Sequence, residues 1–251
     1  MNMGALNARE RDRDAEPERT LHLNLSEWFG PTIQGEGPAA GRLSSFVRLS
    51  GCNLTCSWCD SAYTWDWERF DRTREVHPTP VPDVLDIIDG LPGVVIITGG
   101  EPLLQTQALA AVMSDYRMSA RTFHVETNGT RPLGPTAPYW DTIICSPKII
   151  PSADQGPLAH RLAPSVVEDD RTHFKFVVHD QADLDAIDSL VEHSTALRWA
   201  MQDHRVWLMP EGVTPDALTA RTPFVANAAV ERGLNFSSRL HVYGWHDVRG
   251  H

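Results

Sequence analysis

The sequence predicts an α/β fold built on a parallel sheet, and three observations predict it. Apolar, β-branched runs alternate about six times with stretches of helical spacing, the grammar of strands joined by helical crossovers. Each cluster of unusual polar or glycine residues follows directly on one of those runs. No internal repeat and no linker divides the chain, and its 251 residues lie within the range that an α/β barrel fills as one unit. Crossovers repeated this often make either a doubly wound open sheet or a full or partial barrel.

The elements follow in order. Residues 1–20 carry Arg9, Glu10, Arg11, Asp12, Arg13, Asp14, Glu16, Glu18 and Arg19 with almost nothing apolar, so a mobile tail is expected ahead of a single core at 21–251. Leu21 to Leu25 alternates apolar and polar, the period of a short strand. Trp28 to Pro38 holds three glycines and two prolines; regular structure is not expected there, and the backbone is free to approach a ligand closely. Ser45 to Leu49 is a strand ending at Gly51, with Cys52, Cys56 and Cys59 in the loop behind it. Asp60 to Trp67 is dense in aromatic rings, which either shield a site in that loop or belong to the core.

Pro82 to Asp89 has helical spacing, with Pro near its start and Gly90 after it. Val94 to Thr98 has the pattern of a buried parallel strand. A helix follows over Gln105 to Arg117, then strands at Thr122 to Glu126 and Asp141 to Ile144. Pro147 to Pro164, rich in Pro, Ser and Gly, is expected to be a loop. Strands at His173 to Val178 and Arg205 to Met209 flank a helix at Ala182 to Val191. Thr214-Pro-Asp opens a helical stretch interrupted at Pro223 and reaching Arg232, and Arg239 to Tyr243 has the alternation of a last strand.

Composition excludes several classes of function. Lys and Arg number 22 against 33 Asp and Glu, a formal net charge of -11, so the overall field repels nucleic acid. No apolar run is long enough to cross a bilayer, and the first twenty residues lack the apolar core of a secretory signal; a cytoplasmic protein without a membrane partner is expected. Three of the four cysteines share one loop, which is no disulfide framework, and metal binding is the better reading.

Both candidate architectures collect function at the carboxyl ends of strands. There the sequence places the cysteine loop, Thr98-Gly-Gly-Glu-Pro102, Glu126-Thr-Asn-Gly129, Cys145-Ser-Pro-Lys148 and Pro210-Glu-Gly-Val. Taken singly, Gly99-Gly100 is a turn and Glu126 or Lys148 a solvated charge. Taken together, five clusters behind five strands point to one site. A closed structural zinc centre takes four ligands, whereas three thiols with no obvious fourth leave a position open. They suit a [4Fe-4S] cluster with Cys52, Cys56 and Cys59 on three irons and the fourth iron free to chelate a small molecule. Cys145 is read as a buried free thiol, since a fourth thiolate would block the open iron.

The spacing Cys52-x3-Cys56-x2-Cys59, with Trp58 before the last cysteine, and Thr98-Gly-Gly-Glu-Pro102 resemble the two motifs of the radical S-adenosylmethionine enzymes. Phe29 to Gly37, Phe46 to Leu49, Cys56 to Ser61 and Ser146-Pro-Lys148 narrow the resemblance to the 7-carboxy-7-deazaguanine synthases of the queuosine pathway. It runs from about Glu27 to the end of the chain and is strongest up to Lys148. The resemblance implies a partial, open TIM-like β/α barrel, and the strand count, short of eight, agrees. It implies a lyase that contracts 6-carboxy-5,6,7,8-tetrahydropterin to 7-carboxy-7-deazaguanine with loss of ammonia. S-adenosylmethionine on the open iron is cleaved by one electron to methionine and a 5'-deoxyadenosyl radical and is used catalytically. Magnesium, an electron donor such as flavodoxin or ferredoxin, and a homodimer are implied as well.

Carried over residue by residue, the resemblance implies that Ile33, Gln34, Gly35, Arg48 and Thr98 bind substrate. Arg48 suits a carboxylated pterin because a guanidinium clamps a carboxylate bidentately. Trp58, Cys59, Asp60, Gly100, Glu101, Ser146, Pro147 and Lys148 are implied around S-adenosylmethionine, with Met209, Pro210, Glu211 and Gly212. Glu126 is counted with them and Asn128 beside it; His241 and His251 are further candidates for the pterin. Ser61 stands at the magnesium position, a hard oxygen donor of the kind Mg²⁺ accepts. Two other readings stay open: a glycyl-radical activase with the same cysteine spacing, and a zinc module completed by His77 or His124.

Overall fold

The computed structural model describes residues 20–149, 161–246 and 248–251. Nearly all of the expected tail, and residues 150–160 of the expected loop, lie outside the described residues. The strands are β1 (His22–Ile33), β2 (Leu43–Leu49), β3 (His77–Pro80), β4 (Val94–Gly99), β5 (Phe123–Thr127), β6 (Thr142–Cys145), β7 (Thr172–Val178), β8 (Val206–Pro210) and β9 (Asn235–Phe236). They form one sheet in the order β3-β1-β2-β4-β5-β6-β7-β8-β9. From β2 to β9 every pairing is parallel, while β1 runs antiparallel to both β2 and β3. The edge strands β3 and β9 do not meet, so the parallel part is an open, partial barrel.

The helices are α1 (Arg72–Glu75), α2 (Val81–Asp89), α3 (Thr106–Met113), α4 (Pro164–Val167), α5 (Gln181–Glu192), α6 (Thr195–Gln202), α7 (Pro215–Arg232) and α8 (Leu240–Trp245). Successive strand residues point to opposite faces, and here the two faces have different chemistry. Val47, Val95, Ile97, Val125, Ile143, Phe174, Phe176 and Leu208 form one core with Val84, Ile88, Leu109, Leu184, Ile187 and Val225 from the helices. The intervening residues look the other way. Phe46, Val94 and Ile96 make a small apolar patch with Phe29, and Arg48, Thr98, Glu126, Lys175 and Met209 line a cavity.

Three segments differ from the sequence expectation. Strand β1 continues through Gly30-Pro31 to Ile33, where irregular structure is expected. Its pairing with β3 covers only His22 to Leu25, so further on one edge carries no strand partner among the described residues and tolerates proline, and register shifts along β2 absorb the misfit. Gly30 is required there because a Cβ would stand 2.1 Å from Ser45 Oγ. Helix α7 runs unbroken through Pro223, with Leu218 buried before the proline and Val225, Ala228 and Ala229 packed in the core after it. Arg239 to Tyr243 is not a strand; α8 starts at Leu240, and the sheet edge is taken by β9. The Leu240 amide donates to the Gly35 carbonyl at 3.0 Å, which turns the chain away from the sheet. Strand β3 and helix α6 appear where no element is expected.

Phe176 is fully buried between sheet and helices. Phe176→Ala should cost about 3–5 kcal/mol in urea unfolding, the usual penalty for emptying an aromatic core site. His124 on β5 is also buried, and its Nδ1 has no hydrogen-bond partner among the described residues. Burial, helped by Arg42, pushes its pKa from 6.5 down to about 4. The stabilisation tied to its neutral form is therefore present above about pH 6.5 and lost as pH falls toward about 4. His124→Leu should flatten the stability curve over that interval, measured by urea unfolding at a series of pH values.

Candidate active site

Strand alternation sets the floor of the site and the loops at the strand ends set its walls. The cavity has a volume of about 240 Å³. Cys52, Cys56 and Cys59 line it together with Trp58, Asp60 and Ser61 from the same loop. Ile33, Gln34 and Gly35 come from the end of β1 and the residues behind it; Arg48 comes from β2, Thr98 and Gly100 from β4 and its loop. Glu126 and Asn128 at the end of β5, Ser146 and Lys148 after β6, and Met209 on β8 also line it.

Backbone contact holds the cysteine loop to the β4 turn. Gly100 N donates to Leu49 O at 3.0 Å and Glu101 N to Gly51 O at 2.8 Å. A Cβ on Gly100 would lie 2.1 Å from Gly51 O and 3.0 Å from Cys52 Cβ, so the two loops touch only because no side chain separates them. Asn53 reaches the β5 end, where Asn128 Nδ2 donates to its Oδ1 at 3.2 Å and its own Nδ2 donates to Thr130 Oγ1 at 2.8 Å. Cys59 N donates to Cys56 O at 3.2 Å, a turn that brings the last two thiols round.

Burial pushes the Cys52 thiol up to about 11, and pushes Cys56 up against the pull of Lys148. Thiols in such surroundings become thiolates when a metal centre supplies positive charge. The Leu54 amide and the Trp65 indole each lie 3.4 Å from a cysteine sulfur, Cys52 and Cys59 respectively, donors that stabilise thiolate. Among the described residues no three His, Cys, Asp or Glu side chains converge on one ion. Thiols spread along a loop suit a cluster, in which each iron takes its own thiolate. His77 and His124 do not line the cavity, so neither completes a zinc site with the cysteines. Cys145 is fully buried in the core on the helix side of β6, its thiol pushed up by burial.

Several predicted residues lie outside the cavity lining. Glu101 stands behind the wall, fully buried, accepting from Thr127 Oγ1 at 2.8 Å, Asn128 N at 2.8 Å and Leu103 N at 3.0 Å. It braces the β4 turn against β5. Pro147 and Pro210 do not line the cavity; Glu211 pairs outward with Arg221 at 2.7 Å; Gly212 contributes a carbonyl to Arg239.

The structure adds charged residues that were not singled out from sequence. Lys175 and Arg239 both bond Glu36, Arg239 Nε at 2.8 Å. Burial alone would raise the Glu36 carboxyl, but Lys175, Arg239 and His241 hold it well below the usual carboxylate range. Glu27 takes Arg48 Nε and Tyr63 OH on one oxygen, each at 2.8 Å, and Arg249 Nε on the other at 2.9 Å. Lys175 had a legible signal, one charge inside the apolar strand His173-Phe-Lys-Phe-Val-Val178, and Glu36 stands inside the Phe29 to Gly37 motif; Glu27 and Arg239 had none.

Residues 46–141 match the Radical SAM superfamily model, a span from within β2 to just before β6 that includes all three loop cysteines. A 7-carboxy-7-deazaguanine synthase of Halobacterium salinarum is 39% identical over 248 residues, covering 90% of this chain and 91% of that one. The chain belongs to the 7-carboxy-7-deazaguanine synthase family. A 7-carboxy-7-deazaguanine synthase of Hyperthermus butylicus is 34% identical over 232 residues, covering 88% of this chain and 92% of its own. The crystal structure of QueE from Escherichia coli superposes with a TM-score of 0.65 at 25% identity, covering 88% of this chain and 95% of that one. This 7-carboxy-7-deazaguanine synthase family member is thus a radical S-adenosylmethionine enzyme, which implies a [4Fe-4S] cluster and S-adenosylmethionine. The glycyl-radical activase and zinc-module readings fall with that membership.

Cys56→Ala should leave anaerobically reconstituted protein without its iron and its brown colour, whereas Cys145→Ala should keep about four irons per chain. Retention of iron by Cys56→Ala, or its loss from Cys145→Ala alone, would refute the ligand assignment.

Proposed function

We propose that the chain converts 6-carboxy-5,6,7,8-tetrahydropterin to 7-carboxy-7-deazaguanine with loss of ammonia, in the cavity bounded by the three thiols and Arg48. The observation that carries this reading is the polarity of that cavity. Arg48 keeps Nε on Glu27, and among the described residues its two terminal nitrogens make no hydrogen bond. A guanidinium so held presents a fork that fits a carboxylate. Away from it, Glu126 accepts from Gln34 Nε2 at 3.0 Å and from Thr98 Oγ1 at 2.9 Å. This amide, hydroxyl and carboxylate give donors and acceptors for the edge of a flat heterocycle. Phe29 and Phe46, stacked with centroids 5.1 Å apart, line the cavity and offer an apolar surface for its ring.

Cys52, Cys56 and Cys59 would hold the cluster, whose electron opens the radical chemistry when S-adenosylmethionine is bound. Trp58, Asp60, Ser146 and Lys148 lie along the cofactor side. Lys148 Nζ sits 5.3 Å over the Trp58 ring and donates to Ser146 Oγ at 3.1 Å, which steadies both around an anionic carboxylate. Gly100 leaves room for close backbone approach, and Glu101 keeps that turn in place from behind. Ser61, its Oγ 3.7 Å from Cys59 Sγ, is the oxygen donor for magnesium in this reading. Residues 248–251 shield one side from water, with Arg249 lying 3.8 Å over the Tyr63 ring and bonded to Glu75 at 2.8 Å.

A flavodoxin or ferredoxin supplies the electron, and the enzyme works as a homodimer in the cytoplasm. No helix among the described residues is long and apolar enough to cross a membrane.

Reduced, reconstituted protein given the carboxypterin, S-adenosylmethionine and Mg²⁺ should form the deazaguanine, detected by mass spectrometry. Deoxyadenosine without that product would defeat the proposal. Arg48→Lys, which keeps the charge but loses the fork, should raise KM for the carboxypterin at least about tenfold while leaving iron content unchanged. Chelating Mg²⁺ should slow turnover, and Ser61→Ala should raise the Mg²⁺ concentration needed for half-maximal rate.

A further inference from the structure

Arg239 is only 6% exposed, and its guanidinium spans three parts of the cavity wall. Nε donates to Glu36 Oε1 at 2.8 Å, Nη2 to Asp60 Oδ2 at 2.5 Å and Nη1 to the Gly212 carbonyl at 2.7 Å. Glu36 directly follows the substrate segment Ile33 to Gly35, and Asp60 directly follows Cys59. Two carboxylates on two loops thus share one planar cation.

The chain around Arg239 grips the substrate segment further. Gly37 N donates to Ser237 Oγ at 2.7 Å, and Leu240 N donates to Gly35 O at 3.0 Å. A Cβ on Gly35 would lie 2.1 Å from the His241 ring. The segment 33–37 therefore cannot shift without moving 237–241, and with it the guanidinium on Asp60. Donors of a guanidinium are fixed relative to one another, so displacement of one carboxylate is passed to the other; an ammonium, a point charge on a flexible stem, passes on far less of it.

We propose that Arg239 is a positioning residue that couples the two halves of the site, so that S-adenosylmethionine beside Asp60 and the carboxypterin beside Gln34 and Gly35 tighten each other's binding. The coupling rests on the substrate and cofactor reading above. By linkage it is reciprocal. Glu36 has a second cation in Lys175, and the Asp60 side chain is 45% exposed to water. A change at Arg239 that keeps its charge therefore leaves neither carboxylate stranded.

The test uses cluster-loaded enzyme kept oxidised, so that S-adenosylmethionine is bound but not cleaved, and measures binding by calorimetry. In the wild type each ligand should tighten the other about tenfold, within the ordinary range for coupled sites. Arg239→Lys should keep its iron content and melting temperature, bind each ligand alone within about threefold of wild type, and show mutual tightening of less than about twofold. Asp60→Ala removes the acceptor at the other end of the link and should abolish the mutual tightening as well, so the proposal stays testable if the lysine variant fails to fold. Wild type without mutual tightening, or either variant that retains it, overturns the coupling. A wild type that binds S-adenosylmethionine but no carboxypterin overturns the substrate reading and the coupling with it.

Discussion

A charge removed from water has to find a partner, and the inner face of this sheet is built on that constraint. Lys175 and Arg239 lie almost out of solvent with Glu36 between them, and Arg48 is held by Glu27. A lone buried ion costs several kcal/mol, so each of these residues fixes where its partner must be. Glu36 pins the segment behind β1 to β7 and to the chain before α8. Glu27 does the same between β1, β2 and residue 249. The strands supply spacing, while the ion pairs decide how the loops close over them.

The same constraint separates the two halves of the cavity by chemistry. Around the cysteines the donors are weak and the surroundings partly apolar, and burial there raises the Cys52 and Cys56 thiols, which then depend on a metal to supply charge. Around Arg48, Glu126 and Lys175 the groups are ionic or strongly hydrogen-bonded and already paired. A soft-metal centre and a site for a polar, carboxylated heterocycle can stand side by side because the β4 glycines let the two loops touch through backbone alone.

Much of the site was legible from local pattern. The cysteine spacing, the glycine pair after β4 and the clusters behind β5, β6 and β8 all occur within a few residues of a readable strand end, and strand ends in a parallel sheet share one side. Glu101 shows the limit of that reading. Its motif was visible, yet the carboxylate turns into the core, because Thr127 and the amides of Leu103 and Asn128 offer it hydrogen bonds there. Arg239 shows another limit. Its neighbours alternate as in a strand, and the contacts to Glu36, Asp60 and Gly35 that make the next residues helical come from positions about 180–200 residues away.

By itself the sequence determined the alternation of strand and helix, the three-thiol loop with its open position, and the side of the sheet on which function collects. These depend on periodicity and short-range spacing, which a chain carries in any conformation. Only the tertiary structure decided that β1 continues through Gly30-Pro31, that Cys145 faces the helices, and that Glu27, Glu36 and Arg239 brace the wall of the site. Those outcomes depend on which distant residue fills the space beside each group and pairs its charge, and neither periodicity nor spacing records that.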